Sequence, residues 1–293
     1  MMARSSEPAV QSAVMGSPVQ TASGRPGTPP VPRSSDSRAP VAKPRPVLSI
    51  VLATLNERDN LPILVGRILP LPLPSFEVLV VDDGSTDGTR EWVTEFGRQD
   101  PRLRPVFHEG KQTTLRAQCQ GIDAARGELL IVMDADLQHP PERIPEMLRE
   151  LEMGAGLVVA SRYAPGGSPG PRTTFRALTS RAAEAVAKLF LREARAVSDP
   201  VSGFFGFRRE IYLPLNPFYR GYKLLLFALV MNQGRRCAEV GFRFEPRAGG
   251  ASKVTQNFDF IPIFLVELIL AKRLERAMGH VPRTTVRPRE VGG

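Results

Sequence analysis

Between residues 47 and 161 the chain alternates short apolar runs with segments whose apolar positions recur at helical spacing. Val47-Leu-Ser-Ile-Val-Leu-Ala53-Thr54 is β-branched and apolar, as a strand buried on both faces requires. The polar turn Leu55-Asn56-Glu57-Arg58-Asp59-Asn60 follows, and then Leu61, Leu64, Val65 and Ile68 at helical spacing. Phe76 to Val81 repeats the strand pattern and runs into Asp82-Asp83-Gly84-Ser85-Thr86-Asp87-Gly88-Thr89, whose turn and capping residues open a helix around Arg90 to Arg98. A third strand is predicted near Leu103 to His108, a helix through Gly121 to Arg126, and a fourth strand at Glu128 to Met133. Strand followed by helix, repeated in this way, predicts an α/β fold with a mostly parallel, doubly wound sheet and helices on both faces. Leu157 to Ser161 adds a further strand.

The fourth strand carries the most pointed chemistry. It ends in Met133-Asp134-Ala135-Asp136-Leu137-Gln138-His139-Pro140. Residues i and i+2 of an extended chain share a side, so Asp134 and Asp136 can converge where the strand leaves the sheet. Two adjacent carboxylates raise each other's pKa unless a cation lies between them. A hard dication such as Mg²⁺ or Mn²⁺ fits, since it takes oxygen ligands and completes its shell with water and substrate phosphates. Gln138 could add a neutral oxygen. A plainer reading is that both aspartates cap a helix opened by Pro140-Pro141-Glu142. The position at a strand's carboxyl end favours a ligand, because open α/β sheets bind there. Asp82 and Asp83, at the end of the second strand, are placed to accept hydrogen bonds from a nucleobase or ribose, whereas Ser85, Thr86 and Asp87 read as turn and cap.

Composition narrows the partners. The first 46 residues are rich in Ser, Pro, Ala and Gly, contain no aromatic residue and show no apolar periodicity, so they are expected to be disordered. The formal charge of +9 suits anionic partners: phosphate-bearing substrates, nucleic acid or an acidic membrane surface. Nucleic acid is disfavoured, because the chain has one Trp and four Tyr and lacks zinc-finger, RNP-type and basic heptad patterns. Neither Gly-x-Gly-x-x-Gly after the first strand nor a P-loop occurs. Cys119 and Cys237 are far apart in sequence and read as buried thiols in a reducing compartment. No apolar h-region opens the chain, and the apolar stretch from Phe258 to Ala271, about fourteen residues, falls short of the roughly twenty that span a bilayer.

Three segments of the later chain add to this. Ala164-Pro-Gly-Gly-Ser-Pro-Gly-Pro171 predicts an irregular, mobile loop, placed to serve as a lid. From Arg176 to Leu191 a helix sets Arg176, Ser180, Arg181, Lys188 and Arg192 against Ala177, Val186, Leu189 and Phe190, either as a solvated face or for contact with membrane or phosphate. Residues 258–278 read as a helix that lies at a membrane interface or docks on the protein's own sheet.

Asp82-Asp83-Gly-Ser-Thr-Asp, Met133-Asp-Ala-Asp-Leu-Gln-His-Pro-Pro-Glu and Ser198-Asp-Pro-Val-Ser-Gly-Phe-Phe-Gly-Phe-Arg, taken together, resemble a family 2 glycosyltransferase with the GT-A fold, and most of all its dolichol-phosphate and polyprenol-phosphate mannose synthases. The resemblance spans roughly Val47 to Met278. It implies that Ala53, Glu57, Asp82 and Asp83 bind the donor nucleotide, that Asp134, Asp136 and Gln138 bind Mg²⁺ or Mn²⁺, and that Arg162 meets phosphate. On the acceptor side it implies Arg162, Arg176, Ser180, Arg247 and Lys253, with Asp136, Arg162 and Arg176 as the catalytic group. The organisation implied is a tail over 1–46, a GT-A domain over 47–257, an interfacial helix over 258–279 and a second tail over 280–293. The chain departs from the family at Gln112-Thr-Thr-Leu, where a Gly-Leu-Gly type turn is usual, and its lid lacks an aromatic residue.

The function implied is transfer of a hexose, from GDP-mannose first, to a polyprenyl or dolichyl monophosphate with inversion. The protein would be cytoplasmic, peripheral on the cytoplasmic face of a membrane, with room for a membrane partner subunit. The alternatives are a UDP-sugar (glucose-type) transferase on the same acceptor, or a catalytically silent GT-A domain acting as a membrane-associated partner.

Overall fold

A computed structural model describes residues 45–108, 110, 112–171, 174–216, 219, 221–246 and 260–279, without the side chains of 174–176. The tail up to residue 44, the tail from 280 onward, and the positions Arg247 and Lys253 lie outside the described residues.

The apolar runs become strands: β1 (Leu48–Thr54), β2 (Phe76–Asp82), β3 (Leu103–Phe107), β4 (Leu129–Asp134) and β5 (Leu157–Ser161). Two strands were not foreseen, β6 (Phe205–Arg208) and β7 (Cys237–Gly241). All join one seven-stranded sheet in the order β3-β2-β1-β4-β6-β5-β7. The pairs β1·β2, β1·β4, β2·β3 and β5·β7 are parallel, and β6 alone runs antiparallel, between β4 and β5. Two reversals cancel, so β1, β2, β4, β5 and β7 all present their carboxyl ends at one edge, while β6 starts there.

The helices are α1 (Asn60–Ile68), α2 (Thr89–Gln99), α3 (Thr114–Ala124), α4 (Ile144–Glu152), α5 (Thr174–Phe190), α6 (Leu224–Met231) and α7 (Phe260–Met278). Alternation along β4 divides the core in two. Leu129, Ile131 and Met133 face a layer that includes α1 and α4, whereas Leu130 and Val132 face α3, α6 and α7. In α4, Ile144, Met147, Leu148 and Leu151 form one buried face, each side chain contributing roughly 1.5–3 kcal/mol of transfer free energy. Every residue of α6 is buried. Such a helix has no polar face, and that is why periodicity could not reveal it.

The segment expected as a free lid is tied down along part of its length. Ser168 N–H donates to Phe242 O at 3.0 Å, Phe244 N–H donates to Ser168 O at 2.8 Å, and Ser168 bridges in parallel to Arg243. The irregular loop therefore continues the β7 edge for one residue pair.

Candidate active site

The common carboxyl edge gathers the chemistry. Ala53 on β1 lies in register between Val81 of β2 and Asp134 of β4, which places the acids that end β2 and β4 on either flank of one residue. Beyond β1 the turn is fixed by its neighbour: Asn56 N–H donates to Ser85 Oγ at 2.7 Å, Thr86 N–H donates to Asn56 Oδ1 at 2.9 Å, and Glu57 N–H donates to Thr89 Oγ1 at 3.1 Å. The Glu57 carboxylate accepts from Asn60 Nδ2 at 2.6 Å and faces the same turn.

The two acids after β2 have different surroundings. Asp82 is fully buried, and its carboxylate accepts the N–H groups of Gly84 and Ser85 and the Nε–H of Arg90. Those bonds anchor the turn that follows β2. Asp83 lies past the strand end, where its Oδ1 accepts Gln112 N–H at 2.6 Å and sits 3.5 Å from His108 Nε2. The departing Gln112-Thr-Thr-Leu segment thus still meets Asp83 through a backbone amide, and Thr113 caps α3 by accepting Arg116 N–H.

At the end of β4, Asp134 is 38% exposed at its side chain, and its Oδ2 is 4.0 Å from Nδ1 of His139. Asp136 is buried, with Oδ1 accepting Gln138 N–H at 3.2 Å. Leu137 between them has φ 64°, a left-handed conformation that costs a non-glycine residue about 1 kcal/mol or more. It turns the chain so that Asp134, Asp136 and Gln138 follow one tight bend. His139 is packed among Phe204, Phe242 and Phe244, and that burial pushes its pKa down to about 4, against the pull of Asp136. The ring is neutral, and its buried Nδ1 has no hydrogen-bond partner among the described residues.

These donors fit a hard dication. No cluster of three or more His, Cys, Asp or Glu side chains is assembled among the described residues. Mg²⁺ and Mn²⁺ sites of one or two carboxylates plus substrate phosphates do not need one. Gln138 Nε2 donates to Glu245 O at 3.3 Å, so its amide oxygen is the end that could serve a cation.

Arg162, one residue past β5, arrives at the same edge. Its Nε and Nη2 donate to Asp199 at 2.6 and 2.7 Å, its Nη2 is 3.7 Å from Glu184 Oε1, and its guanidinium lies over the rings of Tyr163 and Phe244. Burial is the largest single influence and disfavours the charge, but the bond to Asp199 together with the electrostatic pull of Asp199, Tyr163 and Glu184 outweighs it, so the pKa lies above the ordinary arginine value. Asp199 is fully buried, and such a group needs a cation beside it; that burial, which the local sequence does not show, is what marks the residue.

The acceptor-side residues are only partly in view. Arg176 lies in the first turn of α5, and its side chain is outside the described residues. Ser180 Oγ donates to Glu184 Oε1 at 3.2 Å, so its hydroxyl already serves a carboxylate that also faces Arg162. α5 and α7 carry exposed apolar residues: Leu178, Leu189 and Phe190 on the first, Ile261, Leu265, Val266 and Ile269 on the second. The inward face of α7, Phe264, Glu267, Leu268 and Ala271, packs chiefly on α6, with α5 also in contact, and joins the core layer on that side of the sheet. No described helix is long and apolar enough to cross a membrane.

Residues 49–213 match the family description Glycosyl transferase family 2. A dolichol-phosphate mannosyltransferase of Pyrococcus furiosus is 37% identical over 210 residues, 71% of this chain and 59% of that protein. The match therefore spans less than two thirds of that relative's length. A polyprenol monophosphomannose synthase of Mycolicibacterium smegmatis is 32% identical over 242 residues, 79% of this chain and 90% of that protein. A crystal structure of glucosyl-3-phosphoglycerate synthase from Mycobacterium tuberculosis, in complex with Mn²⁺, UDP and glucosyl-3-phosphoglycerate, superposes with TM-score 0.58 at 20% identity over 82% of both chains. The architecture is the GT-A fold of such transferases, and with the family match covering more than half its length the chain belongs to glycosyl transferase family 2.

Proposed function

We propose that this chain is a divalent-metal-dependent, inverting glycosyltransferase that moves a hexose, mannose from GDP-mannose in the first instance, onto the phosphate of a polyprenyl or dolichyl monophosphate at a membrane surface. The observation that carries the reading is the meeting, at one sheet edge, of the Asp134–Asp136 bend with the Asp199-held guanidinium of Arg162. When bound, the dication would be held by Asp134, Asp136 and Gln138 and would neutralise charge on the departing diphosphate. The names of the two mannosyltransferase relatives support the donor and acceptor chosen.

The chain's own residues account for the rest. Asp199 takes Nε and Nη2 of Arg162, so the fork offers its remaining Nη1 edge to phosphate in a fixed direction, with little reorganisation as charge develops. His139 is walled in by phenylalanines and burial makes its ring a weak proton acceptor, so it is ill placed to act as a base. None is needed, because a lipid monophosphate is already an anionic nucleophile near neutral pH. Positioning it opposite the leaving diphosphate suffices, and Arg176, Arg247 and Lys253 are proposed for that task. Glu57 and Asp83, with Ala53 and Asp82 beside them, are proposed for the ribose and base. The apolar rows of α5 and α7, with Arg273 and Arg276 alongside, suit a bilayer interface that delivers the acceptor. We further propose that this interface is the cytoplasmic face of a membrane.

A UDP-glucose-type donor is the second reading, supported by the solved structures captured with UDP and UDP-glucose. The test is turnover of a short polyprenyl phosphate with a panel of sugar nucleotides, with and without chelator. Mn²⁺- or Mg²⁺-dependent lipid product is expected with GDP-mannose, and Asp136→Asn should lower it by at least about a hundredfold. Turnover with UDP-sugars alone would select the second reading. No product with any donor would leave a silent domain.

A further inference from the structure

Helix α7 sends one carboxylate inward, and the contacts of that group lead to both halves of the site. Glu267 is fully buried, and its Oε1 accepts the N–H groups of Tyr222 and Lys223 at 2.6 and 2.7 Å. Gly221 permits this approach, since a Cβ there would lie 2.1 Å from Oε1. The Gly221–Lys223 turn is thereby clamped from α7.

Two paths leave the turn. Gly221 O accepts Leu115 N–H at 3.0 Å and Gly221 N–H donates to Thr113 Oγ1 at 3.4 Å, so the turn fixes the start of α3, next to Gln112, whose N–H holds Asp83. In the other direction Lys223 reaches inward, where Nζ donates to Val201 O at 3.0 Å. Val201 belongs to the loop that carries Asp199, the partner of Arg162, and Gly203, whose Cα faces Asp134 so closely that a Cβ would lie 2.7 Å from Oδ2. A buried ammonium that donates to a backbone carbonyl is an expensive way to fasten a loop. Burial, with Arg162 nearby, holds its pKa below the ordinary lysine value, while Asp134, Glu267 and Asp199 act to keep the charge in place.

We propose that Lys223 and Glu267 are positioning residues of the transfer site: Glu267 of α7 sets the Gly221–Lys223 turn, and Lys223 sets the Asp199–Gly203 loop that aims Arg162 and borders Asp134. Docking of α7 and the geometry of the diphosphate site are then one mechanical unit. This rests on the transferase reading above. Lys223 touches no substrate atom in the scheme, and acts through Val201.

The test uses the full chain with Mn²⁺, the preferred sugar nucleotide and a short polyprenyl phosphate, at a temperature where every variant is folded by circular dichroism. Lys223→Met and Glu267→Ala are each expected to lower kcat about a hundredfold, the cost of a misplacement near 1 Å, with the donor KM within about threefold. Glu267→Gln keeps an accepting oxygen and should restore most of the kcat lost in Glu267→Ala. The double variant should be no worse than the poorer single one, because both act on one turn. Folded variants with wild-type kcat, or losses that multiply in the double variant, overturn the proposal. If Lys223→Met does not fold, Glu267→Ala and its rescue decide alone. If the wild-type chain turns over no donor, the functional reading has failed on its own. The positioning claim is then decided by the Arg162 Nε–H resonance, which should move in Glu267→Ala and stay put in Glu267→Gln; an unmoved signal in Glu267→Ala overturns it.

Discussion

Arg162 and Asp199 form a two-point ion pair, Nε to Oδ2 at 2.6 Å and Nη2 to Oδ1 at 2.7 Å, with the aspartate fully buried and the arginine only 11% exposed at its side chain. The pair joins the end of β5 to the loop entering β6. Removing the acid leaves a guanidinium buried without its main partner. Asp199→Ala is expected to destabilise the fold by roughly 3–5 kcal/mol, read as a fall in the denaturant midpoint at unchanged slope. Asp199→Asn keeps the shape but accepts with one oxygen only. It should fold, and lose turnover by about tenfold or more, because the fork no longer holds one direction.

Gly203 tests the metal-side geometry without touching a ligand. Its backbone is outside the left-handed region, so alanine can adopt it, yet the added methyl would meet Asp134 Oδ2 at 2.7 Å and His139 Cε1 at 3.1 Å. The atom that must yield is the end of a side chain, so the fold should survive. Gly203→Ala is expected to weaken Mn²⁺ binding, followed by calorimetry in the presence of nucleoside diphosphate, by about ten- to a hundredfold. Unchanged affinity with an unchanged melting temperature would mean that Asp134 does not ligate.

How much of this was legible beforehand depended on what each residue type reveals by itself. β1, β2, β4 and β5 announced themselves because strands buried on both faces are continuous apolar runs. The antiparallel β6 did not, for it is short, with Gly206 in its middle, and its pairing partners are distant in sequence. Asp82 and Asp83 look equivalent in a one-dimensional reading. Only the register shows Asp82 still inside the sheet, opposite Thr54 and Phe107, and Asp83 past its end. The Asp134–Gln138 bend was anticipated from its acids. Asp199, Lys223 and Glu267 were not, since what marks them is burial among charges of opposite sign, and burial is not written in the local sequence.

The two cysteines should differ in reactivity. Neither forms a disulfide, as the sequence suggested, and Cys119 is 1% exposed, its thiol pushed up to about 11 by burial. Cys237, on the edge strand β7, is half-buried. At pH 8 only on the order of one in a thousand Cys119 side chains would be thiolate. Iodoacetamide is therefore expected to label Cys237 in the native protein and to reach Cys119 only in denaturant, as peptide mass mapping would show. Rapid native labelling of Cys119 would contradict the packing of α3.

Glu267 gives the stability a pH dependence of unusual sign for a carboxylate. Burial pushes its pKa up from about 4.5 to about 7, against the Tyr222 and Lys223 N–H groups and the Lys223 charge, which pull it down. The folded chain therefore binds this proton more tightly than the unfolded chain. Between about pH 4.5 and 7 the folded state holds more protons, so the contribution of Glu267 falls as pH rises through that window and is level on either side. The full loss is on the order of 3 kcal/mol. Glu267→Gln lacks the titration and keeps an acceptor for the two backbone amides. Relative to wild type it should gain stability from pH 5 to pH 8, by chemical denaturation at both values. A difference that stays constant across the range would show that the carboxyl group titrates normally and that water reaches it.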